Sequence, residues 1–280
     1  MRKIEMVDLK TQFLHITDEV LAGFERVCTN ANFIKGSDVF DFADGLATYT
    51  GSNWIMPCAN GTDAIQIAFM ALGLKPGDEV IVPTWTYVAT AEVIALLGLN
   101  PVFIDVDEST FNIDIQQLES VVTEKTKAIV PVHLYGQCCD MAAIMAFAEK
   151  HSLFVVEDTA QAIGAEYTFS DGSKKQAGTI GHVGTTSFFP SKNLGCYGDG
   201  GAIFVQDEKL YNTIKGICNH GELGVKYYHD IVGVNSRLDT MQAVVLNAKL
   251  KRLKGYESAR NHVADYYNQA FKEVDEIETP

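Results

Sequence analysis

The chain has 280 residues, with 36 acidic side chains against 22 Lys or Arg, for a net charge of −14 at pH 7 with histidine neutral. That length buries a sizeable core in one or two domains, and 47% hydrophobic with 21% charged residues is ordinary for a soluble globular protein. The acidic balance argues against a non-specific nucleic-acid binder, which needs a basic face, yet leaves room for an anion held locally by backbone N–H groups.

The N-terminal residues Met1-Arg2-Lys3-Ile4-Glu5 turn polar at once, with no apolar signal core, and no later run reaches the length of a membrane span. A cytoplasmic protein is expected. Short β-branched runs at 54–58, 79–83, 101–105, 128–132, 154–157, 185–189 and 202–205 predict strands. Helical patterns lie between them at 62–72, 90–97, 114–122, 141–150 and 208–219. This alternation predicts an α/β fold with a mostly parallel sheet, whose ligands collect outside the carboxyl ends of the strands. From 238 to 272 the character changes to two long helical patterns. The cysteines (Cys28, Cys58, Cys138, Cys139, Cys196, Cys218) form no C-x-x-C pair and have no partnered His spacing, so neither a metal site nor a disulfide framework is expected.

Residues with chemical potential fall at the predicted strand ends. Asn60-Gly61-Thr62-Asp63-Ala64 follows the first strand and opens a helix, with Thr62 as the expected N-cap. A phosphate there would gain the free N–H groups and the helix dipole, although capping alone explains the segment equally well. Trp85 and Tyr87 follow the second strand and either ring could stack on a flat cofactor; His133 and Tyr135 follow the fourth within reach of the same edge, though both read first as structural.

Asp158 ends an apolar strand. Taken alone it reads as an acidic helix cap; beside a cationic ring nitrogen it is a charge partner that keeps the ring protonated, with Gln161 close behind. Most informative is Lys192, set between an apolar run ending at Pro190 and the glycine-rich stretch Gly195–Gly201, where a lysine is well placed to form a Schiff base with a carbonyl cofactor. Those glycines lead into a strand instead of opening a helix, so they are no dinucleotide fingerprint; P-loop and G-x-S-x-G motifs are absent from the sequence.

Asn60-Gly61-Thr62-Asp63-Ala64, Glu157-Asp158-Thr159-Ala160-Gln161 and Ser187-Phe188-Phe189-Pro190-Ser191-Lys192 occur in one order, and the chain resembles the DegT/DnrJ/EryC1/StrS family of pyridoxal-phosphate-dependent sugar aminotransferases over residues 7–252. The resemblance implies an aspartate-aminotransferase-like (fold type I) large domain over 1–237, with an N-terminal helical arm and a seven-stranded sheet. It also implies that 238–280 begins a small C-terminal domain, the rest of which is missing. It makes Lys192 the Schiff-base lysine and Asp158 the partner of the pyridine nitrogen. Gln161 becomes a contact near the ring hydroxyl and Tyr87 the aromatic over the ring. Thr62, Asp63 and Ser187 become phosphate ligands, and Gly61 a further cofactor-binding residue. Asn235 matches an asparagine donated from a neighbouring protomer, which implies a homodimer.

The blocks at 190–201 and 232–240 look most like a subgroup that aminates the 3-keto position of UDP-2-acetamido-3-oxo-glucuronate, for bacterial surface polysaccharide such as O-antigen. Glutamate is the expected donor. Arg237 and His133 are then expected at the substrate, Arg237 as a fork for a carboxylate or, with equal claim, as a structural partner of Asp239. Alternatives are a dTDP-3-keto- or 4-keto-6-deoxyhexose aminotransferase, or a truncated pyridoxal-phosphate-binding protein without turnover. A regulator would need a DNA-binding segment, which is not visible, and the related dehydratases carry histidine where this chain has Lys192.

Overall fold

A computed structural model describes residues 5–279. Three helices come first: α1 (Leu9–Leu14), α2 (Thr17–Asn30) and α3 (Ser37–Thr50). Asp8 caps α1 by accepting the Thr11 N–H, and α2 and α3 stop at left-handed residues, Ala31 and Gly51. Strands and helices then alternate through β1 (Trp54–Cys58), α4 (Gly61–Ala71), β2 (Glu79–Pro83), α5 (Ala89–Leu96), β3 (Asn100–Ile104), α6 (Leu118–Val121), β4 (Thr126–Ile129), α7 (Met141–His151) and β5 (Phe154–Asp158). A small polar hairpin, β6 (Glu166–Thr168) and β7 (Lys174–Gln176), precedes β8 (Val183–Ser187) and β9 (Gly201–Val205). Helices α8 (Glu208–Ile217), α9 (Thr240–Leu250) and α10 (Leu253–Phe271) follow.

Seven strands form one sheet in the order β1-β9-β8-β5-β4-β2-β3. Both neighbours of β9 pair with it antiparallel, while the other four pairings are parallel, so β9 alone runs against the rest. The mostly parallel seven-stranded α/β sheet expected from the sequence is therefore present. Each face is covered by helices, which explains why the strands read as near-continuous apolar runs. In β9, Ile203 and Val205 face the side covered by α4, α5 and α8, while Ala202 and Phe204 face α3 and α9. In β5, Val156 joins the first face and Val155 packs on Ile144 and Phe147 of α7 on the second.

Several expected boundaries move, each for a physical reason. β4 ends at Ile129 rather than 132, because Pro131 has no N–H to give to the ladder. β8 ends at Ser187 rather than 189: Phe188 leaves the sheet to fill the core edge-on against Phe42, with ring centroids 5.2 Å apart. Beyond Arg237, after which a small domain is expected to begin, packing against the large-domain core continues. Leu238, Ala243, Leu246 and Leu253 belong to the same core as Phe42 and Phe204, and only beyond Leu253 does the chain leave it. Leu253 is the single buried residue of α10. Among the described residues no helix is long and apolar enough to cross a membrane, and no group of three His, Cys, Asp or Glu is placed to hold a metal.

Candidate active site

A cavity of about 640 Å³ opens at the carboxyl ends of the parallel strands, lined from the ends of β1, β2, β5 and β8 and from the stretch entering β9. The reversed direction of β9 brings its start to this edge. Of the residues singled out in the sequence, the cavity brings together Gly61, Thr62, Asp63, Tyr87, Asp158, Gln161, Ser187 and Lys192.

The start of α4 supplies the donors. Asn60, not Thr62, is the N-cap: its Oδ1 accepts the Asp63 N–H at 2.8 Å and its carbonyl accepts the Ala64 N–H. The helix begins one residue earlier than expected, which frees the Thr62 hydroxyl. The N–H groups of Gly61 and Thr62 have no intrahelical acceptor, and among the described residues no other protein group takes them. Asp63 fits less well as an anion ligand, since its amide is engaged by Asn60 and its side chain is itself a carboxylate. The cradle is tight. A Cβ on Gly61 would lie 2.7 Å from the Ser187 Cβ, so glycine lets the helix start approach the end of β8. Ser187 Oγ accepts the Phe189 N–H at 3.2 Å, leaving its own proton to donate into the cavity.

Asp158 ends β5 with 7% of its surface exposed. Its Oδ1 accepts the Ala160 N–H and its Oδ2 accepts the Thr90 hydroxyl, each at 3.0 Å. Thr90 is fully buried, and Thr86 Oγ1 lies 3.1 Å from its oxygen. Because Thr90 gives its proton to the carboxylate, Thr86 must be the donor in that pair, and the two hydroxyls form a directed chain ending on Asp158. The sequence reading missed Thr90. Its one local signal is a threonine in the first turn of a helix that is otherwise apolar apart from Glu92.

Lys192 lies in the loop between β8 and β9, half-buried, its N–H bonded to the Phe189 carbonyl at 2.8 Å. Burial pulls its ammonium below the ordinary lysine range, opposed by the charge of Asp158. Gln161 is fixed from behind: Tyr135, held in the left-handed region at φ 55°, donates its N–H to Gln161 Oε1 at 2.9 Å, so the amide NH₂ is the free end. Tyr87 stands 71% exposed at the cavity rim. Trp85 instead lines an adjoining groove and donates its indole N–H to the Tyr135 hydroxyl.

His133 corrects the expectation of a substrate contact, because none of its surface is exposed. Its Nδ1 accepts the Cys139 N–H at 3.0 Å, so the ring proton sits on Nε2, 2.9 Å from Glu157 Oε2. Glu157 also accepts the N–H groups of Gly178, Ile180 and Gly181. Burial acts to raise that carboxyl, but the His133 hydrogen bond and the backbone donors outweigh it and hold the group below its ordinary range. The pair is a core polar network behind the sheet edge. Arg237 is half-buried and, among the described residues, makes no ion pair with Asp239 or another acid. Asn235 is exposed, and neither residue lines the cavity.

These donors suit a ligand with three distinct parts. Two free N–H groups and two hydroxyls at a helix start match a phosphate. A buried carboxylate matches a protonated ring nitrogen, and an amine lowered by burial matches an aldehyde. Pyridoxal phosphate has all three groups, and the cavity residues fit it.

The sequence model of the DegT/DnrJ/EryC1/StrS aminotransferase family matches residues 15–280. The chain is 50% identical over 271 residues to the UDP-2-acetamido-2-deoxy-3-oxo-D-glucuronate aminotransferase of Pseudomonas aeruginosa, covering 97% of this chain and 74% of that protein. It is 45% identical to the UDP-N-acetyl-3-dehydro-alpha-D-glucosamine 3-aminotransferase of Acidithiobacillus ferrooxidans, covering 94% and 70%. The fold superposes with a TM-score of 0.93 on the crystal structure of an aminotransferase of this family from Brucella abortus, at 41% identity and covering 97% and 74%. Site chemistry, fold and sequence agree, and the chain belongs to the DegT/DnrJ/EryC1/StrS aminotransferase family as a pyridoxal-phosphate-dependent transaminase.

Proposed function

We propose that the enzyme moves the amino group of glutamate to the 3-keto carbon of a UDP-linked 2-acetamido sugar, with UDP-2-acetamido-3-oxo-glucuronate as substrate. The route we assign is cytoplasmic synthesis of a bacterial surface polysaccharide. The observation that carries the catalytic reading is one cavity holding a lysine amine lowered by burial, a buried carboxylate and the free N–H groups of a helix start. The sugar is supported by the names of the two relatives, both of which act on 3-oxo or 3-dehydro sugars carried on UDP.

Pyridoxal phosphate, when bound, supplies an electron sink for the carbon that loses and regains a proton. The residues of the chain do the rest. Gly61 and Thr62 N–H groups, with the Thr62 and Ser187 hydroxyls, hold the phosphate. Asp158, fixed by Thr90 and Ala160, would face the ring nitrogen and favour its protonated form. Gln161, with its NH₂ free, would hold the ring hydroxyl, and Tyr87 at the cavity rim would cover the ring. Lys192 is the residue that would bind the cofactor's aldehyde, and its Nζ, when free, would accept the α-proton and hand it on. A lowered ammonium leaves more of that amine neutral and able to accept.

Arg237, with no acid partner of its own among the described residues, serves a carboxylate of glutamate or of the glucuronate. Asn235 is exposed outside the cavity of its own chain, which suits a residue given to the site of a second copy in a homodimer. The test is mass spectrometry of products from glutamate and a panel of 3-keto and 4-keto UDP- and dTDP-sugars. Amino sugar and 2-oxoglutarate should form with the UDP 3-keto members. If no UDP 3-keto sugar is aminated, the substrate reading is wrong. Borohydride treatment of the loaded protein should fix the cofactor on the peptide holding Lys192; fixation persisting in Lys192→Ala would remove that residue from its role.

A further inference from the structure

The loop that carries Lys192 is held by a face of α9 that plays no part in the cavity. Lys249 is one of the largest wholly buried side chains of the protein, with no exposed surface. Among the described residues it has no carboxylate partner. Its Nζ donates to the carbonyl of Gly195 at 2.6 Å and lies 4.6 Å from the centre of the Tyr197 ring. Seven residues earlier on the same helix face, Gln242 Oε1 accepts the Tyr197 N–H at 2.8 Å, and its NH₂ lies 3.4 Å from the Tyr197 carbonyl. Between them, Leu246 packs in the same core as Leu194 and Cys196. The spacing 242, 246, 249 is one stripe of a helix.

The loop is shaped to be gripped in this way. It folds back on itself at Gly195, where a Cβ would overlap the Pro190 carbonyl, and a Cβ on Gly198 would lie 2.9 Å from the Gln242 amide. Phe188 and Gly200 are tied by a backbone hydrogen bond, and the Cys196 N–H returns to the Phe188 carbonyl. A buried ammonium without a counter-charge is costly, and burial lowers this one to about 8. An apolar residue of similar length would fill the core at less cost. What Lys249 adds over such a residue is the bond to Gly195, three residues from Lys192, and the cation contact with the Tyr197 ring.

We propose that Gln242 and Lys249 are positioning residues for Lys192: α9 grips the 194–198 backbone at two points and so fixes where the lysine amine returns in each half-reaction. This rests on Lys192 being the reactive lysine, as assigned above.

The test uses the full chain loaded with pyridoxal phosphate, with Lys249→Met, Gln242→Met and Gln242→Glu as variants. Glutamate half-reactions are followed by single turnover, and backbone amides by deuterium exchange. The two methionine variants should bind the cofactor normally and keep the KM for glutamate. Their maximal half-reaction rate should fall on the order of 10- to 100-fold, the scale of a misplaced reacting group. Deuterium uptake should rise in residues 188–200 and stay unchanged in the sheet. Gln242→Glu retains an oxygen for the Tyr197 N–H and should recover most of the rate.

A Gln242→Met protein with unchanged rate and unchanged loop exchange would overturn the proposal. So would rate loss accompanied by faster exchange throughout the core, which marks a general packing role. If Lys249→Met does not fold, the half-buried Gln242 pair decides alone. Lys192→Ala separates the two levels: cofactor fixation by borohydride surviving there refutes the lysine assignment itself, whereas fixation confined to Lys192 with unaltered α9 variants refutes only the clamp.

Discussion

Replacing Thr90 with valine removes one proton donor from the Asp158 carboxylate while nearly conserving volume. Thr90 is fully buried and 3.0 Å from Asp158 Oδ2, so no solvent stands ready to replace its hydroxyl. The Ala160 N–H remains as the other donor to the carboxylate. A hydrogen bond to a charged group contributes about 1.5–3 kcal/mol, and each ~1.4 kcal/mol in a barrier is about tenfold in rate. If that bond keeps charge on Asp158, and through it the proton on the ring nitrogen, Thr90→Val should slow the glutamate half-reaction about 10- to 100-fold. Stopped-flow single turnover of the loaded enzyme at saturating glutamate reads this directly, with cofactor stoichiometry as the control. A variant that retains full cofactor content and reacts within about twofold of the parent would refute the argument that the Thr86–Thr90 chain supports Asp158.

Other outcomes follow from the same geometry. Capture of pyridoxal phosphate by the apoprotein requires the neutral Lys192 amine, so its rate should rise with pH to a midpoint below the ordinary 10.5, and Asp158→Asn should move that midpoint lower still because the Asp158 charge opposes the shift. Stopped-flow capture across pH measures both, and a midpoint that rises in Asp158→Asn contradicts the assignment. His133→Leu should leave the KM for the sugar unchanged but reduce unfolding free energy by about 3–5 kcal/mol, since it strands a buried carboxylate. The depressed Glu157 carboxyl contributes stability above its ordinary 4.5 and loses it as pH falls through a lower folded value, so acid unfolding of the parent should begin below 4.5 and shift upward in the variant. Denaturant melts between pH 7 and 3 check this. Gly61→Ala should weaken cofactor binding by about 1–3 kcal/mol, because α4 must retreat from Ser187 to admit the methyl; a fluorescence titration with unchanged affinity would show that the cradle is looser than drawn.

The parts of the fold legible in the sequence are those where local pattern and tertiary burial coincide. β1 and β2 match their predicted ranges because each is a short apolar run closed by polar or proline residues. The β6–β7 hairpin was not legible: its strands are largely exposed and polar, leaving no alternation to detect, and only the Asp171-Gly172 turn hints at it. In the site, Lys192, Asp158 and Gly61 announce themselves by residue type in an unusual place. Thr90 does not, because its meaning lies in a carboxylate 68 positions away. His133 misleads for a related reason. A histidine after a strand looks the same in sequence whether it faces the cavity or, as here, closes a buried network.

The reversed strand also bears on how the site assembles. Ser187 pairs with Gly201 across the β8–β9 ladder, so the lysine loop closes between residues near in sequence, whereas β5 must find β4 and β8 across helical or hairpin excursions. Closing a short loop costs little chain entropy, and contacts of low sequence separation form fastest. The lysine-bearing hairpin is thus a unit that can take shape during folding before the parallel strands supply Asp158 and the α4 start. On a hairpin formed first, the amine would meet any free aldehyde, and the arrival of its partners would restrict it to one.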